Sequence, residues 1–187
     1  AVSGSNATVL SAVRCASDRT KCITGMIHGG DDDNTPRRYL HAEKAPQRRI
    51  IAVLSGLPVR RLVTLGPAMR DEIFALPPNV RAELCRPHLL AFPHADLVIT
   101  HGGHGTVITA LSFGVPVVCV PMGRDQCDNA ARVVWRGAGA CSSKRASATQ
   151  LRRAIQYARE EPRFREGARR VREGIARDDG LEIALHE

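Results

Sequence analysis

Residues 101–106 read His-Gly-Gly-His-Gly-Thr and follow the apolar run Leu97-Val98-Ile99. The stretch beginning at Gly103 has helical periodicity, so these six residues stand where a strand turns into a helix. A helix N-terminus presents unpaired backbone N–H groups and the positive end of the macrodipole. It binds anions wherever the chain lets them approach closely. Gly102, Gly103 and Gly105 lack the side chains that would block that approach. Thr106 adds a hydroxyl donor and His101 an imidazole N–H. The same residues admit two other readings. One is a tight turn in which the glycines only supply unusual dihedrals. The other is a metal clip of His101 and His104, with Cys127 or His88 as further ligands. Zinc asks for three or four ligands in a tetrahedral array, and that requirement does not account for consecutive glycines at a helix start.

A second chemical cluster follows the next apolar run. The stretch Pro121-Met-Gly-Arg-Asp-Gln-Cys-Asp-Asn129 offers Asp125, Gln126 and Asn129 within one helical turn or its approach. A carboxylate beside a carboxamide suits paired hydrogen bonds to vicinal hydroxyls, as on a sugar. N-capping, for which Asp and Asn are favoured, explains one such residue and leaves the other two.

Both clusters need elements to hold them. From residue 46 onward, short apolar runs alternate with helical patterns. Residues 48–57 place Ile50, Ile51, Leu54 and Leu57 on one helical face. Strands are expected at 61–66, 80–84, 96–100 and 115–121, with a short one within 137–143. Helices are expected at 103–113, 125–136 and from Ala148 onward, the last opened by the capping-box sequence Ser147-Ala-Thr-Gln150. Strands that are apolar throughout and separated by helices imply an α/β fold. The sheet is doubly wound, parallel and Rossmann-like, with ligands at the carboxyl ends of its strands. Both chemical clusters fall at such ends. Residues 1–45 are rich in Gly, Ser, Thr, Asn and Asp and form a divergent N-terminal segment before a domain spanning 46–187. Within that segment, residues 7–16 suggest a short helix and 22–27 a short strand.

Bulk properties exclude several classes. A chain of 187 residues is long enough to bury a core without metal or disulfide staples. No apolar run approaches the roughly 18 residues of a membrane span. The first residues lack the basic-then-apolar plan of a secretory signal, so the cytoplasm is the expected location. A formal charge of +8 invites a nucleic-acid partner. Against it, much of the excess lies in residues 151–179, where Arg alternates with Glu at helical spacing, and aromatics for base stacking are only 4%. The six cysteines form no C-x-x-C pair and read as reduced thiols.

Taken together, residues 76–140 resemble the donor-binding signature of nucleotide-sugar-dependent glycosyltransferases of the GT-B fold. The likeness is to the actinobacterial enzymes that glycosylate natural products, and it runs from about residue 48 to 180. The linked His-Gly-Gly-x-Gly-Thr, Gly-Val-Pro and Asp-Gln-x-x-Asn elements carry it. The resemblance implies that His101, Gly103, Gly105, Thr106 and Asn129 hold the donor diphosphate, and that Asp125 and Gln126 hydrogen-bond the transferred sugar. It implies an inverting transfer to an acceptor hydroxyl, with the nucleotide sugar as substrate and with no metal and no cofactor. Where the family has a Trp-x-Pro-Gln element on the nucleotide base, this chain has Cys85-Arg86-Pro87-His88, which leaves Arg86 and His88 for the base. A glutamate for the ribose is replaced by Thr109. The family's catalytic histidine base lies in an N-terminal acceptor-binding domain that has no counterpart here. The resemblance therefore implies an acceptor-binding subunit or domain as partner. A second reading is a non-catalytic nucleotide-sugar-binding module or degenerate paralogue.

Overall fold

A computed structural model describes residues 22–26, 46, 48–57, 60–64, 80–83, 87–123 and 125–177. Six strands form one sheet: β1 (Cys22–Met26), β2 (Arg60–Thr64), β3 (Val80–Glu83), β4 (Leu97–Thr100), β5 (Val117–Cys119) and β6 (Gly139–Cys141). All neighbouring strands are parallel, in the order β3-β2-β1-β4-β5-β6. The helices are α1 (48–55), α2 (His88–Ala91), α3 (His104–Ser112), α4 (Gln126–Trp135), α5 (Ala148–Glu160) and α6 (Pro162–Arg177).

Parallel strands need covering on both faces, because each crossover helix packs back onto the sheet. Leu97 and Ile99 of β4, with Val118 and Val120, meet α1 through Ile50, Val53 and Leu54 and α5 through Leu151 and Ile155. On the opposite face Val98, Val117 and Cys119 meet α3 through Val107, Ala110 and Leu111, α4 through Ala130 and Val133, and α6 through Ala168. All four residues of β4 are buried, which is why that run reads as continuously apolar.

The expected elements appear with shorter bounds. The strand expected at 61–66 runs from 60 to 64, and the one expected at 115–121 narrows to Val117–Cys119. The capping box is formed: Ser147 Oγ accepts from Gln150 N at 3.2 Å and Gln150 Oε1 from Ser147 N at 2.8 Å. One long terminal helix is replaced by two. Glu161 is extended (φ −79°, ψ 113°) and Pro162 opens α6, as a proline and the residue before it require.

The front of the chain differs from expectation in one important respect. The composition boundary at residue 45 is not a boundary of the sheet, since β1 pairs with both β2 and β4 at its centre. The short-strand reading of 22–27 corresponds to β1; the short-helix reading of 7–16 lies outside the described residues. Placing β1 there makes the β1/β4 junction the point where strand order reverses, and the loop leaving β4 is the glycine loop.

Helices α3 and α4 stop in the same way. Gly114 and Gly137 take φ of +69° and +63°. At α3, Gly114 N donates to Leu111 O and Val115 N to Ala110 O, at 2.8 and 3.1 Å. Gly137 N to Val134 O and Ala138 N to Val133 O, at 2.9 and 3.0 Å, repeat the pattern at α4. These are Schellman motifs, which satisfy the last carbonyls and turn the chain straight into the next strand. Gly137→Ala should lower stability by about 1–2 kcal/mol through the left-handed backbone it must retain. Ile155→Ala, at a fully buried site, should cost about 2–5 kcal/mol. Urea denaturation monitored by circular dichroism checks both.

Candidate functional site at the carboxyl ends of β4 and β5

The glycine loop begins where β4 ends. Thr100 is buried, and its Oγ1 accepts from Gly102 N at 3.3 Å. Gly102 has φ +92°, and a Cβ there would come within 3.1 Å of Gln126 O, so glycine both permits the turn and lets the loop lie against α4. Gly103 is the N-cap of α3, extended at φ −60° and ψ 136°, with no side chain capping the helix. A Cβ at Gly103 would sit 2.6 Å from His101 Nε2, which means that the imidazole lies across this glycine. Gly105 is different: no atom lies within 4 Å of where its Cβ would be.

The three glycines therefore have three separate reasons, where the sequence offered a single one. Gly102 serves the turn, Gly103 seats His101, and Gly105 faces open space at the first turn of α3. The N–H groups of His104, Gly105 and Thr106 have no acceptor within an α-helix. Thr106 is largely buried beside them, whereas His104 is exposed. Among the described residues, no three His, Cys, Asp or Glu side chains are grouped as a metal ion would need.

The second cluster is bound to the first by one side chain. Asn129 is buried, and its Nδ2 donates to Gly102 O and to Asp125 Oδ2, both at 3.0 Å. Both of its N–H bonds are thus spent on the protein: the carboxamide ties the glycine loop to the start of α4. Asp125 occupies the N-cap position of α4 without a side-chain cap bond, so capping does not explain its carboxylate. Gln126 turns back, its Oε1 accepting from Met122 N at 2.7 Å and Gly123 N at 3.2 Å. That commits the oxygen end and leaves Nε2 without an acceptor among the described residues. The exposed Asp125 and half-buried Gln126 consequently offer an acceptor and a donor side by side.

One contributor has no signal in the sequence. Lys144, in the loop after β6, donates from Nζ to Met122 O at 2.7 Å, while Arg49 of α1 holds the carbonyls of Lys144 and Ala146 at 3.1 and 2.8 Å. Of the residues assigned to the base, Arg86 lies outside the described residues, as does Cys85. His88 opens α2 with its ring stacked on Phe92 at 4.9 Å. Thr109 donates from its hydroxyl to Gly105 O at 2.7 Å, within its own helix. Burial pushes the Cys119 thiol up to about 12, and burial also raises Cys141 above the ordinary range. Cys119 lies beneath Gly102 as a packing residue rather than a nucleophile.

Fold and site together define a class: a Rossmann-like domain of the GT-B type, with an uncapped helix N-terminus at the point where strand order reverses. The chain belongs to the family described as the erythromycin biosynthesis protein CIII-like C-terminal domain, whose model matches residues 48–184. Similar curated proteins include 4'-demethylrebeccamycin synthase of Lentzea aerocolonigenes, 39% identical over 136 residues, which are 72% of this chain and 32% of that protein. Aclacinomycin-T 2-deoxy-L-fucose transferase of Streptomyces galilaeus is 33% identical over 158 residues, covering 82% of this chain and 34% of its own length. Spinosyn rhamnosyltransferase SpnG complexed with thymidine diphosphate superimposes with a TM-score of 0.74 at 25% identity, over 87% of this chain and 43% of that one. The chain spans about a third of the length of these two curated relatives. The strand β1 lies outside the matched 48–184, so the sheet reaches further toward the N-terminus than the family match.

Gly103→Ala should displace His101, whereas Gly105→Ala should leave the protein folded and intrude only on the open space above α3. Thermal melts together with the His101 Cε1–H resonance distinguish the two: the resonance should shift in the first variant and stay in place in the second. Asn129→Ala, which leaves a buried carbonyl without its donor, should cost about 1–3 kcal/mol of stability, read by urea denaturation.

Proposed function

We propose that this domain holds the donor of a glycosyl transfer, a nucleoside-diphosphate sugar, and that it acts with an acceptor-binding half. The observation that carries the reading is the uncapped start of α3, joined by Asn129 to the Asp125–Gln126 pair. The first-turn N–H groups, with His101 and Thr106, would face the diphosphate. Gly103 and Gly105 allow the approach, one by seating the imidazole and the other by leaving space. Asn129 then acts on the phosphates chiefly through the loop it holds. Asp125 would accept from one sugar hydroxyl and Gln126 Nε2 would donate to its neighbour. Arg86 and His88 would serve the nucleotide base.

In that arrangement the acceptor hydroxyl attacks the anomeric carbon, the bond to the diphosphate breaks, and negative charge grows on the leaving oxygen. Donors fixed before the reaction stabilise that charge without reorganising. The general base for the hydroxyl proton belongs to the acceptor half. Support for the nucleotide comes from neighbours described as bound to thymidine diphosphate or to dTDP. No described helix is long and apolar enough to cross a membrane, and a cytoplasmic setting fits such donors.

Isothermal titration with dTDP and UDP tests the reading. Binding is expected for at least one of them, and His101→Ala and Thr106→Ala should each weaken it by about 1–3 kcal/mol. Saturating dTDP and UDP that produce neither heat nor a change in melting temperature would sink the proposal.

A further inference from the structure

The end of the sheet opposite the proposed donor site has its own chemistry. Helix α6 passes beneath the turns that enter β4, β5 and β6. Arg165 Nη2 bonds Asp96 Oδ1 at 3.0 Å just before β4, and the Arg172 side chain lies across Gly114, its Cδ 3.5 Å from where a Cβ would be. Gly167 packs against the Gly137 backbone so closely that a Cβ would collide with the Gly137 carbonyl. This course aligns Arg165, Arg169 and Arg172 at the i, i+4, i+7 spacing of one helical face.

Two hollows adjoin that face. The larger, about 490 Å³, has Glu160, Glu161 and Glu166 among its lining residues, which offset its arginines. The smaller, about 260 Å³, is lined by Arg165, Arg169 and Arg172 over Phe113 and Val115, and its one acidic lining residue is Asp96. Asp96 is already engaged by Arg165. Arg169 meets Glu173 only at 3.8 Å, with both side chains more than half exposed, a pair worth little. Arg172 has no carboxylate partner among the described residues. Arg169, only weakly paired, and Arg172 therefore line a recess whose one acidic lining residue is already bound to Arg165.

We propose that this smaller hollow is an anion site for a phosphate or diphosphate group, separate from the donor site. Its volume falls below the roughly 300–1,000 Å³ of pockets for drug-sized ligands, which suits a small soluble oxyanion rather than a nucleotide. Guanidinium forks match phosphate oxygens bidentately, and the apolar floor of Phe113 and Val115 lowers competition from water at the arginine stems. The ends of α3 and α4 point their carbonyls toward this face. The Schellman turns satisfy the carbonyls of Ala110, Leu111, Val133 and Val134, so these four do not compete for the guanidinium donors.

The test is titration of the full chain with inorganic diphosphate while dTDP is held at saturation, so that the α3 terminus cannot answer for it. Binding is expected to persist, to weaken steeply with added salt, and to fall at least tenfold in Arg169→Gln/Arg172→Gln. Unchanged melting temperature and circular dichroism of the double variant confirm that it folds. If it does not fold, Arg169→Gln alone, with its exposed side chain, serves as the second variant and should weaken binding several-fold. Loss of all diphosphate binding when dTDP is present would overturn the site, as would equal affinities in variant and parent. Should the chain fail to bind dTDP at all, diphosphate titration of the same variants still decides the matter independently of the donor reading.

Discussion

The carboxamide of Asn129 is the joint on which the carboxyl-end site depends. It spends both N–H bonds, one on a glycine carbonyl 27 positions earlier and one on a carboxylate four positions earlier in its own helix. Two loops from adjacent strands thereby become one surface. The bonds lie in a buried setting, where a lost partner leaves a polar atom unsatisfied, so alternative loop arrangements are penalised by more than the bonds themselves contribute. Gly102 is the matching condition on the other loop. Only a residue without Cβ tolerates φ +92° and the approach of Gln126 O at the same time.

The parallel sheet imposes a polarity that organises everything else. Helices α3 and α4 each start at the carboxyl ends of the strands and finish at their amino ends. One pole of the molecule therefore collects helix N-termini and the other collects C-termini. At the first pole α3 is left uncapped and open above Gly105. At the second, left-handed glycines close α3 and α4, and α6 lays arginines over the turns. Among the described residues, α6 sets six arginines against two glutamates at the amino pole, away from the glycine loop.

Much of this was legible in the residues. The unbroken apolar run 97–99, the Gly-Val-Pro stretch leading into β5 and the Ser147–Gln150 box each carry a local physical reason for the element they form. The position of the two chemical clusters at strand ends followed from alternation alone. Other features were not legible. Residues 22–26 read as a short strand, but nothing in them placed it at the centre of the sheet, because a strand's place in a sheet depends on its partners. Pro162 divides what a continuous helical period suggested was one helix. Lys144 carries no motif, since its bond to Met122 O exists only after β6 and β5 are neighbours.

By itself, the sequence determined the alternation of strand and helix, the helix starts and stops, and the residue types available for an anion and for vicinal hydroxyls. These depend on neighbours within a few positions, where periodicity and backbone preference act. Tertiary structure alone decided which glycine does what and which end of each carboxamide faces outward. A Cβ vector at Gly103 has meaning only relative to the His101 ring, and the donor or acceptor face of Gln126 only relative to the N–H groups of Met122 and Gly123. Such relations come from the folding back of chain segments onto one another, and no local spacing encodes them.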